Sequence, residues 1–162
     1  MNRIRIIASL GLLLCTSAIQ AQTLNFNLTG TITPGVCRFT TADVDLGTFA
    51  TTSFTAIGST TTFVDVPITS SGCDPLVTSI HMRVTGNADA ANTNLFRGVT
   101  GIGIQLQRTT GAVAIVPAGT TLDFSPVTSG NTYNFRARFM RSATTMAAGS
   151  VSSPITINVT YN

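Results

Sequence analysis

The 162-residue chain has no lysine, no glutamate and no tryptophan, and its one histidine is His81. Charged residues make up only 9% of it and are scattered, so no basic stripe exists to track a nucleic-acid backbone. A lone histidine inside an apparent strand, beside Ile80 and Met82, reads as packed or solvated rather than catalytic. No group of His, Cys and carboxylates has metal-ligand spacing, and neither a Gly-x-Ser-x-Gly elbow nor a phosphate loop occurs. Asp43 and Asp45, two apart, read as solvated carboxylates at a turn. The expectation is a protein that is not an enzyme, with no catalytic residue, cofactor or metal. Without tryptophan, and with only Tyr133 and Tyr161 as tyrosines, the chain also lacks the aromatic platforms that sugar-binding modules expose.

One apolar stretch is present, at the start. Arg3 and Arg5 precede an uncharged run from Ile6 to Cys15, and small residues follow to Ala21. A basic start, a short apolar core and a small-residue exit make a secretory signal, read as residues 1–21 with Ala18 as the second choice of cleavage point. The run is too short to span a bilayer comfortably, and no second hydrophobic stretch of spanning length follows, so no membrane insertion of the mature chain is expected. Cys15 leaves with the signal, and the pair that remains, Cys37 and Cys73, reads as one disulfide in an exported chain. Such a bridge restricts the unfolded chain by about 4 kcal/mol. With Arg3 and Arg5 gone, seven arginines face six aspartates, a net charge of +1.

Beyond residue 21, Thr, Ser, Val, Ile, Phe and Gly dominate, and apolar residues tend to alternate with polar ones. Short strands are expected near 23–33, 36–40, 43–50, 61–69, 77–86, 101–109, 112–116, 131–141 and 153–161. Turn clusters such as Gly86-Asn87 and Ser129-Gly130-Asn131 separate them, and residues 87–94 are expected to form a helical turn or a long loop. Many short strands with frequent turns argue for a β-sandwich in one domain, residues 34–162. The two most regular strands sit at the two ends. Leu24, Phe26, Leu28, Gly30 and Ile32 share one face of the first; Ile155, Ile157, Val159 and Tyr161 share one face of the last. The first, within residues 22–33, is either the first strand of its own sandwich or a strand meant for another molecule by β-strand addition. Gly30 is either a bend or a small residue facing a shallow part of a receiving groove.

In order along the chain, these features resemble the subunits of type 1 and P-type fimbriae assembled by the chaperone–usher route. The residues that carry the resemblance are the alternating segment 24–32 with its glycine, Cys37, Leu46-Gly47, Cys73, Gly103-Ile104-Gln105-Leu106, Phe135-Arg136-Ala137-Arg138-Phe139, Ala148-Gly149 and the strand ending at Tyr161. Phe139 replaces a tyrosine often found there, and the surroundings of Cys73 are more polar than usual. The resemblance implies an all-β, incomplete immunoglobulin-like β-sandwich with an N-terminal donor-strand extension. Residues 22–33 would supply the donor strand through Leu24, Phe26, Leu28, Gly30 and Ile32. Gly149, Ile155, Ile157, Val159 and Tyr161 would border the acceptor groove and meet the chaperone. The partners implied are neighbouring pilin subunits, a periplasmic chaperone and an outer-membrane usher, with export through the periplasm to a surface fimbrium that contributes to adhesion. Pilins joined by isopeptide bonds are excluded, since they need lysine. The competing expectation is a self-contained secreted β-sandwich that binds a carbohydrate or a host protein.

Overall fold

A computed structural model describes residues 26–31 and 35–162. The chain falls into two compact units, Met1–Ile32 and Thr33–Asn162, and each is taken by itself. In the first unit the described residues 26–31 form no regular element, and Phe26 and Leu28 are exposed. The expected signal segment, together with Leu24 and Ile32, lies outside the described residues.

The second unit is a sandwich of antiparallel strands: β1 (Arg38–Thr40), β2 (Val64–Ser71), β3 (Ile80–Gly86), β4 (Phe96–Val99), β5 (Ile102–Arg108), β6 (Ala114–Ile115), β7 (Thr120–Phe124), β8 (Asn131–Arg141) and β9 (Ile155–Tyr161). The larger sheet runs β1-β2-β8-β5-β4, with β6 added to β5; the smaller runs β7-β3-β9. Single 3-10 turns occupy Thr51–Ser53 and Thr110–Ala112. The architecture is the β-sandwich expected from the strand pattern, in the immunoglobulin-like form that the resemblance implied.

Alternation decides which way each strand faces. On β8, Tyr133, Phe135 and Ala137 are buried, while Asn134, Arg136 and Arg138 point away from the core. On β3, Ile80, Met82 and Val84 are at most 1% exposed, whereas His81 and Arg83 face outward. These two inner faces, with Ile68 of β2, Ile104 and Leu106 of β5 and Leu122 of β7, make one core. Phe124 closes one end of it, edge-on to Tyr133 with ring centroids 4.5 Å apart.

Several expectations need correction. Residues 43–50 form no strand, although Val44 and Leu46 are half-buried between the exposed Asp43 and Asp45. The reason is local: Asp45 Oδ1 accepts the N–H of Gly47 (2.8 Å), and Gly47 turns at φ 87°, so the segment never enters a ladder. β3 starts at Ile80 rather than near 77, because Asp74 ties up the preceding turn by accepting from Leu76 N through Oδ1 and from Val77 N through its carbonyl. β4 and β7 were not anticipated: β4 has only four residues and contains a glycine, and β7 reads Thr-Thr-Leu-Asp-Phe with a single deeply buried position. Residues 87–94 are a loop, held by buried Asp89, whose Oδ1 accepts from Ala91 N (3.1 Å) and Asn92 N (2.9 Å).

Cys37 and Cys73 are bonded, as the cysteine count suggested. The bridge joins the residue before β1 to the residue two beyond β2, so it reinforces the ladder that pairs Arg38 with Ser71. With a sequence separation of 36, replacing both cysteines by alanine is expected to lower the folding free energy by about 4 kcal/mol. Urea denaturation of the Cys37→Ala/Cys73→Ala protein measures this, and an unmoved midpoint would mean that the bridge adds nothing.

Candidate functional site

Among the described strands of seven residues or more, β9 is the one with no buried residue. Ile155 is 38% exposed, and Ile157, Val159 and Tyr161 are half-buried, against at most 1% for the inward residues of neighbouring β3. The cause is topological. β9 pairs with β3 along one edge, from Gly86↔Ile155 to Ile80↔Tyr161, and is the last strand of its sheet. Among the described residues its other edge pairs with nothing, which leaves a row of free N–H and C=O groups.

Beside that edge runs a groove of about 1020 Å³ between the sheets. It is lined by Ile155 and Ile157 of β9, by Leu46 and Phe49 of the segment after β1, and by the buried Phe135 and Ala137 of β8. A cleft of this volume stands at the top of the span of about 300–1,000 Å³ usual for small-molecule sites. Its length along a seven-residue strand, roughly 23 Å at about 3.3 Å per residue, suits an extended peptide. A free strand edge with a row of apolar recesses beneath it is the geometry for β-strand addition.

Three devices hold the groove open. Tyr161 Oη–H donates to the carbonyl of Cys37 (3.1 Å), so the end of β9 is tied to the disulfide. Asn162 continues the tie: its carbonyl accepts from Thr78 N (2.7 Å) and Ser79 N (3.1 Å). At the other end, Arg141 reaches three carbonyls, those of Phe54 (3.0 Å), Ala143 (2.9 Å) and Thr144 (2.6 Å), and so fixes the turn leading toward β9. Gly149 lies on the groove beyond that turn, and a Cβ there would come within 3.3 Å of Val99. Of the five residues expected along the acceptor edge, Gly149, Ile155 and Ile157 line the groove, while Val159 and Tyr161 pack toward the core. Leu46 and Ala137 entered the sequence reading only as marks of the resemblance, and Phe49 and Arg141 were not singled out at all. They come from two segments far apart in the chain, the stretch after β1 and strand β8, and no local spacing links the two.

His81 sits elsewhere, on the outward face of the smaller sheet. Its Nδ1 is 2.5 Å from Asp123 Oδ1, and its Nε2 is 3.1 Å from Ser79 Oγ and 3.0 Å from Asn162 Nδ2. The network fits a tautomer whose Nδ1–H donates to Asp123 while Nε2 accepts from Ser79 and Asn162. The order serine, histidine, aspartate is that of a hydrolytic triad. However, the amide of Asn162 already engages Nε2, the Asp123 side chain is 73% exposed, and none of these residues lines the groove. The cluster stitches β7, β3 and the end of β9 together. Among the described residues, no three His, Cys, Asp or Glu side chains converge as a metal site, and no helix is long and apolar enough to cross a membrane.

This disulfide-braced sandwich, in which β9 has no outer partner among the described residues, has the fold of pilus subunits. The family model for fimbrial proteins matches residues 26–162, and the chain belongs to that family. It is 32% identical over 141 residues to the type-1 fimbrial protein, A chain, of Salmonella typhi, covering 78% of this chain and 75% of that one. It is 30% identical over 159 residues to the type 1 fimbrial subunit of Salmonella typhimurium, covering 89% and 84%. The fold matches the crystal structure of the P pilus rod subunit PapA with a TM-score of 0.69 at 18% identity, over 79% of this chain and all of that one. It also matches a subunit from the structure of a chaperone–usher pilus, with a TM-score of 0.64 at 17% identity, over 91% of this chain and all of that one. The protein is thus a fimbrial subunit of the cell surface, in a family of structural proteins.

Removing the Tyr161 hydroxyl is expected to loosen the far end of β9. Tyr161→Phe should cost about 0.5–1.5 kcal/mol, the usual net worth of one hydrogen bond. Denaturant titration beside the unaltered protein measures it, and equal stabilities would show that the link to Cys37 is not needed.

Proposed function

We propose that this subunit polymerises by donor-strand exchange, and that its own residues 22–33 are the strand it donates to the next copy. The observation that carries the reading is the unpaired edge of β9 above an apolar groove. An incoming strand would hydrogen-bond to that edge, and its alternate side chains would fill the recesses lined by Ile155, Ile157, Leu46 and Phe49. In the donor, Leu24, Phe26, Leu28 and Ile32 would supply those side chains; Phe26 and Leu28 are 78% and 90% exposed in the subunit. Gly30 would meet the shallow stretch from which exchange begins.

The energetics favour such dependence. Burying Leu24, Phe26, Leu28 and Ile32 contributes roughly 1.5–3 kcal/mol each, about 6–12 kcal/mol together. Whole domains are stable by only about 5–15 kcal/mol. Filling or emptying the groove therefore decides whether the subunit stays folded, and an empty one exposes a strand edge prone to aggregation. In this reading the chain enters the periplasm behind its cleaved 1–21 signal. A chaperone there lends a strand to the β9 edge, contacting Gly149, Ile155, Ile157, Val159 and Tyr161. An outer-membrane usher then exchanges it for the extension of the next subunit. The role is structural, with no catalytic step, cofactor or metal, and the assembled fimbria contributes to cell adhesion.

The deciding experiment removes residues 22–33, holds the remaining domain on a matching periplasmic chaperone, and adds a synthetic Gln22–Thr33 peptide. A large rise in melting temperature once the chaperone has left, with a complex that survives cold detergent, is the expected result. A truncated domain that is monomeric, stable alone and indifferent to the peptide would sink the reading and favour a self-contained binding module. Gly30→Leu in the intact chain is expected to slow polymerisation in vitro, and an unchanged rate would remove the role given to that glycine.

A further inference from the structure

The charges on the groove are all of one sign. Of the residues that line it, only Asp43 and Asp45 are ionisable, and no arginine or histidine joins them there. Neither takes part in an ion pair, since among the described residues the one pair links His81 to Asp123 on the smaller sheet. Asp45 Oδ1 accepts from Gly47 N, which fixes that carboxylate against the backbone of its own segment, and both side chains are exposed. Two uncompensated negative charges thus stand along one side of a cleft that is otherwise uncharged.

Their placement follows from alternation within the segment. Val44 and Leu46 are half-buried, so Asp43 and Asp45 hold the exposed positions beside them. A strand lying between this segment and β9 alternates too: every second side chain fills the groove and the others face outward. The outward ones fall beside Asp43 and Asp45 on one flank and beside exposed Thr156, Asn158 and Thr160 on the other. Neighbouring strands run about 4.7–4.9 Å apart, so opposed outward positions interact; opposite charges stabilise the pairing and like charges weaken it. The β9 flank is neutral, and the two carboxylates alone set the sign.

Residues 22–33 suit that sign. They contain no charged side chain, and all six aspartates of the chain lie outside them. Leu28, at the middle of the alternating stretch 24–32, is flanked by Asn27 and Thr29, whose amide N–H and hydroxyl groups can donate to carboxylates. Being central, these two positions come alongside the aspartates whichever way the strand runs.

We propose that Asp43 and Asp45 select the strand that occupies the groove by its charge, admitting extensions whose middle outward residues are neutral or basic and disfavouring acidic ones. The inference rests on the strand exchange proposed above and adds to it a rule for which subunit's extension can follow this one. The carboxylates act on the flank of the incoming strand, while its apolar face and backbone supply the bulk of the affinity.

The test sets synthetic peptides in competition for the intact subunit held on its periplasmic chaperone, and mass spectrometry reads which peptide is captured. One peptide has the sequence of residues 22–33; the others carry Asn27→Asp/Thr29→Asp or Asn27→Arg/Thr29→Arg. One cross-strand charge pair is worth about 1.4- to 5-fold in binding, so the unaltered peptide should be preferred over the aspartate peptide by about 2- to 25-fold at about 20 mM sodium chloride. At about 1 M, where the screening length is about 3 Å, that preference should shrink. Aspartate is also a poor strand former, so the comparison that decides is between subunits. On Asp43→Asn/Asp45→Asn, which keeps an oxygen for Gly47 N, the preference should fall and the arginine peptide should lose its advantage. Equal ratios on the two subunits would overturn the selection. So would a preference that salt leaves unmoved, even if the substituted subunit does not fold. Failure of the unaltered peptide to displace the chaperone would defeat strand exchange and the selection with it; capture of all three peptides in equal amounts would defeat the selection alone.

Discussion

Hydrogen bonding along β9 is one-sided, and most of the molecule's character depends on that asymmetry. Its ladder to β3 satisfies one edge of the backbone, and its side chains reach the core far enough to be half-covered. A strand in this position is stable only while β3 is well seated and something lies over the remaining apolar face. β3 meets the first condition, with three inward residues sealed from water. The subunit has no segment among its described residues that meets the second. The groove is therefore an unfinished part of the core, with walls made by the same packing that stabilises the rest.

An open core of this kind must resist collapse, and the structure does so with directional bonds as well as bulk. The disulfide anchors the start of β1, and the hydroxyl of Tyr161 uses that anchor to hold the end of β9. Arg141 does the equivalent work at the opposite end through three backbone carbonyls. Buried Asp89 fixes the loop between β3 and β4. With so few charges available, buried Asp89 and half-buried Arg141 are committed to backbone polar atoms rather than to an opposite charge, which suits a chain with a single ion pair among its described residues.

Alternation made β3, β8 and β9 legible from sequence, because each has one face that water never wets fully and one that it does. Short strands escaped notice for the converse reason: β4 carries a glycine, and β7 has one deeply buried position, so neither shows a period of two for long enough. Residues 43–50 have the period without the pairing, since an aspartate–glycine turn diverts them from the ladder. At the groove, the edge strand was evident and the rest of the lining was not. Ala137 lines it together with Phe49 and Ile157, a relation between segments far apart in the chain. A stack of Phe63 with Arg136 and Arg138 was invisible for the same reason, being set by the β2–β8 register rather than by neighbours in sequence.

The register of β9 also has a consequence in time. The final seven-residue strand pairs with β3, which lies near the middle of the chain, and Tyr161 closes on Cys37, 124 residues earlier. A chain that emerges from its N-terminal end therefore waits, with one edge of β3 unpaired, until its last residues arrive. Contacts of such long separation form slowly, because loop closure must come before any gain from burial. The moment of greatest vulnerability falls just before the last strand arrives rather than when the chain first emerges. A partner that recognised only the finished groove would come too late for much of that interval; one that binds β9 as it appears could guide it onto β3 and cover its open edge in the same event.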